Sequence, residues 1–244
     1  VGTKAELLDA AAAVAKLAHQ IVDLTDEPHP APHPRQGALD MVAFMPLSTA
    51  KSSELKPELE ECSLLAHELG DILGRQGLPF LLYGRRRGRS FRATRRLTSF
   101  FESTKSGSQP EPWCTAAPDF GPAGDISPRA GVAIVGAMPY VTNYNVQVAD
   151  ASLAACRAAA AALRAGLGVQ LMALPHDEGT VEIGCNLQAT AERDSQDMGV
   201  VLSELKRHLP PEATVRYDRV IGLTPDECLR RWHGGDFEVC RTFS

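Results

Sequence analysis

The residues best suited to chemistry lie in one stretch, His33 to Asp40, which reads HPRQGALD and is called the histidine segment below. An imidazole can accept and return a proton near neutral pH, because its unperturbed pKa is about 6.5. Prolines on both sides of His33 restrict the backbone, and Gly37 permits a ligand to approach closely. We take His33 as the candidate acid–base residue, and Arg35 and Asp40 as candidates for substrate binding. The alternative is a surface turn with an inactive histidine.

A second charged feature is the arginine segment, residues 85–96, in a chain whose formal net charge is −5. Guanidinium groups match phosphate and carboxylate geometry, so the segment is a candidate site for RNA or for a polyglutamate chain. The alternative is a solvated segment, or one that contacts acidic residues of the same chain. Its arginines are Arg85, Arg86, Arg87, Arg89, Arg92, Arg95 and Arg96.

The bulk composition is that of a globular protein, with 44% hydrophobic residues and a pI of about 5.8. An acidic chain is not expected to bind polyanions generically. No apolar run approaches the roughly 20 residues that a membrane-spanning helix needs, so no membrane partner is expected. The six cysteines form no CxxC pair and have no histidine at zinc spacing, which predicts free thiols and no metal. We therefore expect an intracellular protein, cytoplasmic or in an organelle matrix.

The hydrophobic periodicity predicts two different halves. The first half contains helices at 6–20 and 57–76 and strands at 39–47 and 78–83. After a strand at 132–137, the order becomes strand, helix, strand, strand, helix, strand. The predicted ranges of that repeat are 143–149, 151–165, 169–174, 180–187, 194–208 and 214–220.

This order predicts an α/β (α+β) fold of two ferredoxin-like βαββαβ subdomains, each with helices on one face of a sheet. We place the boundary at a glycine- and proline-rich loop, which gives subdomains at 1–117 and 118–244. The first of these has two strands for two amphipathic helices, so we expect its opening portion to be absent from the given chain.

Four motifs in order carry a resemblance to a known family: the histidine segment, PDFGP at 118–122, NYNVQV at 143–148 and MALPHDEG at 172–179. With them the chain resembles the formiminotransferase domains of glutamate formimidoyltransferase and formimidoyltransferase-cyclodeaminase, and especially the plant formiminotransferase-like proteins. Two features depart from the family pattern: Pro32 stands before the histidine, and the family's opening strand has no counterpart.

The resemblance implies transfer of a formimino group from N-formimidoylglutamate to the co-substrate tetrahydrofolate, without a metal, in a cleft between the subdomains. It assigns the general acid–base role to His33 and folate contact to the glycine loop, residues 121–131. It also implies a homodimer formed through the first subdomain. A different reading is a catalytically silent subunit of a larger assembly, such as a ribonucleoprotein, that binds RNA through the arginine segment. The glycine loop consists of Gly121, Pro122, Ala123, Gly124, Asp125, Ile126, Ser127, Pro128, Arg129, Ala130 and Gly131.

Overall fold

The computed structural model describes residues 1–25, 35–47, 52–101, 113–124, 126–190 and 193–234, with the backbone alone for 52–54. It divides the chain into two compact units, residues 1–46 with 57–138 and residues 47–56 with 139–244. Each unit combines helices with one sheet, which confirms the predicted α/β (α+β) class. Among the described helices, none is both long and apolar enough to cross a membrane.

The first unit contains a parallel sheet in the order β1–β3–β2. Helix α1 begins with a capping box, in which Glu6 Oε2 accepts a hydrogen bond from the backbone N–H of Thr3 at 2.8 Å. The described elements are α1 (Lys4–Ile21), β1 (Met41–Phe44), α2 (Ser52–Gly74), β2 (Phe80–Tyr83), α3 (Phe91–Arg95) and β3 (Ala133–Ala137).

Strand β3 is the centre of this sheet, although it follows β2 by about fifty residues in the chain. Ala133, Ile134 and Val135 are fully buried, as expected for a parallel strand covered on both faces. The sequence suggested a boundary after residue 117, whereas the structure places residues 118–138 in the first unit. The difference arises because pairing between distant parallel strands leaves no local signal in the sequence. The helices α1 and α2 therefore pack on a three-stranded sheet.

The second unit has four antiparallel strands in the order β5–β6–β4–β7. Their alternating residues point inward to a core shared with α4 and α5, while the opposite face of the sheet carries polar and exposed side chains. The order is the predicted βαββαβ repeat, followed by a helix α6 that was not predicted. The elements are β4 (Thr142–Ala149), α4 (Leu153–Leu167), β5 (Gln170–Pro175), β6 (Val181–Leu187), α5 (Met198–His208), β7 (Thr214–Ile221) and α6 (Pro225–Gly234).

Candidate functional site

The histidine segment is described from Arg35 onward, and His33 lies outside the described residues. Its most buried member is Gln36, which sequence analysis did not single out and whose side chain has no exposed surface. The Gln36 side-chain nitrogen donates to the backbone oxygen of Asp40 at 2.7 Å, and its side-chain oxygen lies 3.2 Å from the hydroxyl of Thr98. The segment that leads into β1 thus turns around the buried side-chain amide of Gln36, whose nitrogen and oxygen both have hydrogen-bond partners.

The histidine segment and the glycine loop are joined by backbone hydrogen bonds. The N–H of Val132 donates to the oxygen of Gln36 at 2.9 Å, and the N–H of Ala38 donates to the oxygen of Ala130 at 2.8 Å. Gly37 and Gly131 form an antiparallel bridge between these bonds. Two of the predicted site regions, almost one hundred residues apart in sequence, are therefore adjacent in the first unit.

Both glycines of the bridge are required by space. A Cβ atom on Gly37 would lie 2.5 Å from the oxygen of Val132, and one on Gly131 would lie 2.3 Å from the oxygen of Gln36. Gly131 also has a φ of +62°, in the left-handed region that side chains disfavour. The close contact of the two segments therefore depends on the absence of side chains.

The PDFGP motif anchors the start of the glycine loop. Phe120 packs on α2, where a Cβ atom on Gly70 would lie 2.4 Å from its ring and one on Gly74 would lie 2.9 Å from its Cβ atom. Gly121 has a φ of +87°, and a Cβ atom added to it would meet the oxygen of Leu78 at 2.4 Å. Asp119 is nearly buried and accepts from the backbone N–H of Leu82 at 2.7 Å. The motif is thus a packing and turn element.

A cavity of about 580 Å³ lies beside the glycine loop. This volume is within the range of small-molecule sites. Burial raises the pKa of the Cys114 thiol in its wall, so that this thiol stays protonated and is a poor nucleophile at neutral pH. The described lining residues are Trp113, Cys114, Thr115, Ala116, Ala117 and Pro118 on one strip, and Ala123, Gly124, Ile126 and Pro128 from the glycine loop.

The candidates of the glycine loop differ in their surroundings. Arg129 points its guanidinium at the end of α1: Nη1 and Nη2 donate to the oxygens of His19 and Gln20 at 3.0 and 2.8 Å. Its Nε donates to Asp23 at 2.9 Å. The basic group therefore satisfies carbonyls at a helix C-terminus, where positive charge is favourable. Asp125 lies outside the described residues.

Asp40 is paired with an arginine from the arginine segment. Its carboxylate forms an ion pair with Arg95, whose guanidinium also lies over the rings of Phe91 and Phe100, with its Cζ atom 4.7 and 3.7 Å from their centroids. The Arg95 side chain is 12% exposed and that of Asp40 is 46% exposed. Arg95 is thus a largely buried charge, and Asp40 is its carboxylate partner among the described residues.

Most of the other arginines of this segment also contact acidic residues of the same chain, as in the alternative interpretation of the segment. Arg85 and Arg86 lie 3.5 and 3.4 Å from the carboxylate of Glu60. A second carboxylate, that of Asp119, pairs with Arg87 at 2.6 Å and also with Arg89. Arg92 and Arg96 are exposed, and neither forms an ion pair within the described part of the chain. Three carboxylates thus face seven guanidinium groups, so the segment and its described acidic partners keep a formal excess of four positive charges.

In the second unit, the NYNVQV motif is strand β4. Tyr144 faces the core, and its hydroxyl donates to Asp218 at 2.6 Å; burial is the main cause that raises the pKa of this phenol. Asn143 and Asn145 face the other way and line a depression of about 350 Å³. The adjacent Gln147 is buried, and its nitrogen lies 3.1 Å from Nδ1 of His176 in the MALPHDEG motif. These motifs thus shape one face of this sheet.

Among the described residues, no group of three or more His, Cys, Asp or Glu side chains could hold a metal ion. The five described cysteines, Cys62, Cys114, Cys156, Cys185 and Cys228, are free thiols as predicted. The sixth, Cys240, lies outside the described residues.

Comparison with known proteins identifies relatives along most of the chain. Residues 1–138 match the family model described as the formiminotransferase domain, N-terminal subdomain. The chain is 30% identical to a formiminotransferase cyclodeaminase-like protein of Arabidopsis thaliana, over 95% of this chain and 78% of that protein. It is 32% identical to a glutamate formimidoyltransferase of Thermoplasma acidophilum, over 91% of this chain and 71% of that protein. A formimidoyltransferase-cyclodeaminase of Gallus gallus is 31% identical over 61% of this chain and 26% of its own length.

The end of the family match at residue 138 coincides with the end of the first compact unit. Sequence similarity and contact geometry therefore agree on the boundary at residue 138, although residues 47–56 fall inside the family match and are grouped with the second unit. The family model matches more than half of this chain, and the matches to the Arabidopsis and Thermoplasma relatives cover 78% and 71% of those proteins. The chain therefore belongs to the formiminotransferase family.

Proposed function

We propose that this protein transfers a formimino group from N-formimidoylglutamate to N5 of tetrahydrofolate, with His33 as the general base and then the general acid. The observation that carries the proposal is the bridge between Gly37 and Gly131, which joins the histidine segment to the glycine loop. His33 precedes Gln36 by three residues, a separation that the backbone spans in at most about 11 Å. An acid–base group on one segment is therefore available to a ligand bound by the other.

The chemistry needs one group that moves a proton in each direction. N5 of the folate attacks the formimino carbon and loses its proton, a C–N bond forms, and a tetrahedral intermediate results. The bond from that carbon to the glutamate nitrogen then breaks, and this nitrogen gains a proton. An imidazole can serve both steps because its pKa lies near neutrality.

The glycine loop supports folate contact through its shape. Its small residues Ala123 and Gly124, together with Ile126, form one wall of the 580 Å³ cavity. A flat pterin ring needs close approach by backbone and apolar side chains, and such a wall allows both. Arg129 is not included among the ligand contacts, because its three donor nitrogens bind α1 and Asp23.

The test separates binding from transfer. His33→Ala should lower formimino transfer by about 100-fold or more, while calorimetric affinity for a reduced folate changes by less than about threefold. His208→Ala, an exposed histidine on α5, is the control and should leave both quantities unchanged. Transfer by the His33→Ala variant above a tenth of the starting rate would contradict the acid–base role. Failure of the unsubstituted protein to bind reduced folate would contradict the proposed activity as a whole.

The alternative role as an RNA-binding subunit receives less support from the contacts. Five of the seven arginines of the arginine segment pair with carboxylates of the same unit, so RNA would have to compete for them. Binding to RNA would then depend most on Arg92 and Arg96, which are exposed and have no ion pair among the described residues. It should be weak, fall steeply with added salt and decrease further in the Arg92→Ala, Arg96→Ala double variant.

A further inference from the structure

We infer that Arg95 is a positioning residue for the reaction, and that it acts by holding the histidine segment through Asp40. The inference rests on the proposed function and gives a role in the reaction to a residue that the sequence pattern assigned only to polyanion binding. It also gives the arginine segment a role within the active unit instead of toward an external polyanion. Three structural observations lead to it.

First, the guanidinium of Arg95 is held by its neighbours. Its guanidinium lies against two aromatic rings, with Cζ 3.7 Å from the Phe100 centroid and 4.7 Å from that of Phe91. A cation in this environment is attracted to the ring faces but is removed from water, so it depends strongly on its carboxylate partner. That partner is Asp40, at the end of the histidine segment.

Second, the same part of the chain makes another contact with the segment. The hydroxyl of Thr98 lies 3.2 Å from the side-chain oxygen of Gln36 and 2.8 Å from the backbone oxygen of Arg95. Gln36 in turn donates to the backbone oxygen of Asp40. Residues 95–98 therefore contact the histidine segment near both ends of its described part.

Third, the two sides of the histidine segment are held by different kinds of group. The glycine loop binds it through backbone atoms, in the bonds of Ala38 and Val132 described above. Arg95 and Thr98 bind it through side chains. A side-chain contact can be removed by substitution without changing the loop that we assign to folate contact. The position of the histidine segment can therefore be altered by substitution without altering the loop that we assign to folate binding.

The expected consequence concerns the turnover rate. A base that is misplaced by about 1 Å can lose two orders of magnitude in rate, because it no longer reaches the proton in line. Loss of the Arg95–Asp40 pair should therefore lower kcat by about 10- to 100-fold and leave the KM for folate within about twofold. General unfolding would instead diminish folate binding together with activity.

The experiment uses the full chain and four variants, with kcat, KM and calorimetric folate affinity measured for each. Arg95→Met removes the charge but keeps an unbranched side chain between the two rings. Asp40→Asn removes the other charge at a half-exposed position and provides a test if the first variant folds poorly. The double variant should be no slower than the slower single variant, because both remove the same pair. Arg75→Met is the control, because Arg75 is an exposed arginine just after α2 that pairs with Asp71, and this variant should remain within twofold of the unsubstituted protein.

Restoration of charge provides the second readout. Arg95→Lys can still pair with Asp40, and it should recover at least part of the kcat that Arg95→Met loses. Unchanged kcat in both Arg95→Met and Asp40→Asn, or a loss of folate affinity equal to the loss of kcat, would overturn the positioning role. Absence of transfer in the unsubstituted protein would instead overturn the proposed function, and the inference with it.

Discussion

Replacement of Gly131 by alanine tests the contact between the histidine segment and the glycine loop. The added Cβ atom would lie 2.3 Å from the oxygen of Gln36 and 2.8 Å from the Cα atom of Gly37. Neither neighbour is the end of a flexible side chain, so the two backbone segments must separate. Gly88→Ala is the matched control, because Gly88 has a similar φ of +69° and no atom within 4 Å of its Cβ position.

The magnitude follows from the difference between these two sites. Alanine in the left-handed region costs about 1–2 kcal/mol, and both variants share this cost. Separation of the segments in Gly131→Ala also breaks the bond from the N–H of Val132 to Gln36, and Val132 is fully buried. A buried donor without a partner costs about 1–3 kcal/mol. Loss of the second bond, from Ala38 to Ala130, brings the expected excess destabilisation to about 2–5 kcal/mol.

The assay must report on the first unit alone. The chain has two tryptophans: Trp113 is buried in the first unit, and Trp232 lies in α6 of the second. In a Trp232→Phe background, fluorescence during urea unfolding follows Trp113 only. The free energy of unfolding is obtained by linear extrapolation for the background, the Gly131→Ala variant and the Gly88→Ala variant.

Equal destabilisation by Gly131→Ala and Gly88→Ala, within about 0.5 kcal/mol, would mean that the backbone clash is relieved at no cost. The bridge between Gly37 and Gly131 would then not be a fixed contact. The structural support for a site built from both segments would be lost.

Three further outcomes are expected. Arg129→Ala should lower the midpoint of thermal unfolding by about 3–6 °C through loss of its bonds to the end of α1, with folate affinity unchanged within threefold; a tenfold loss of affinity would make Arg129 a ligand contact. Burial raises the pKa of Cys62 to about 11 from 9.0, with Glu58 and Glu61 adding to the shift. Only about one thiol in a thousand is therefore ionised at pH 8, and alkylation should be about 100-fold slower than in unfolded protein and rise tenfold per pH unit, as checked by peptide mass spectrometry. Leu205→Ala should cost about 2–5 kcal/mol in circular dichroism-monitored urea unfolding, because Leu205 is fully buried, whereas Leu174→Ala at a half-exposed position should cost less than about 1 kcal/mol.

The secondary structure of the second unit could be predicted from the sequence, because it depends on local patterns of apolar and polar residues. Its strands alternate between core and surface residues, and five of its six predicted elements begin within two residues of those observed. The exception, α5, begins at Met198, four residues after the predicted start, because Asp197 provides its N-cap. Helix α6 was missed because it is strongly polar, and Cys228 is its only buried residue among those described.

The candidate site in the first unit could be predicted only in part. Gly37, Gly131 and the acid–base candidate His33 could be proposed from the sequence, because each lies in a short motif or glycine-rich loop. The environment of Gln36 could not, since no local pattern distinguishes a buried glutamine from an exposed one. Arg95 was grouped with its neighbours as a charged segment, because its contacts with Asp40 and Phe100 depend on tertiary packing.

The central position of β3 has a consequence for how the protein folds during synthesis. Met41 of β1 pairs in register with Ile134 of β3, and Leu81 of β2 pairs with the same residue, so neither outer strand has its neighbour until β3 has been translated. Contacts across such long sequence separations form slowly, because the loop must close before the pairing stabilises it. The nascent first unit therefore presents two strands with apolar surface that lack their β3 partner until β3 emerges from the ribosome. Chaperone demand should be greatest in this interval, before the second unit has begun to form.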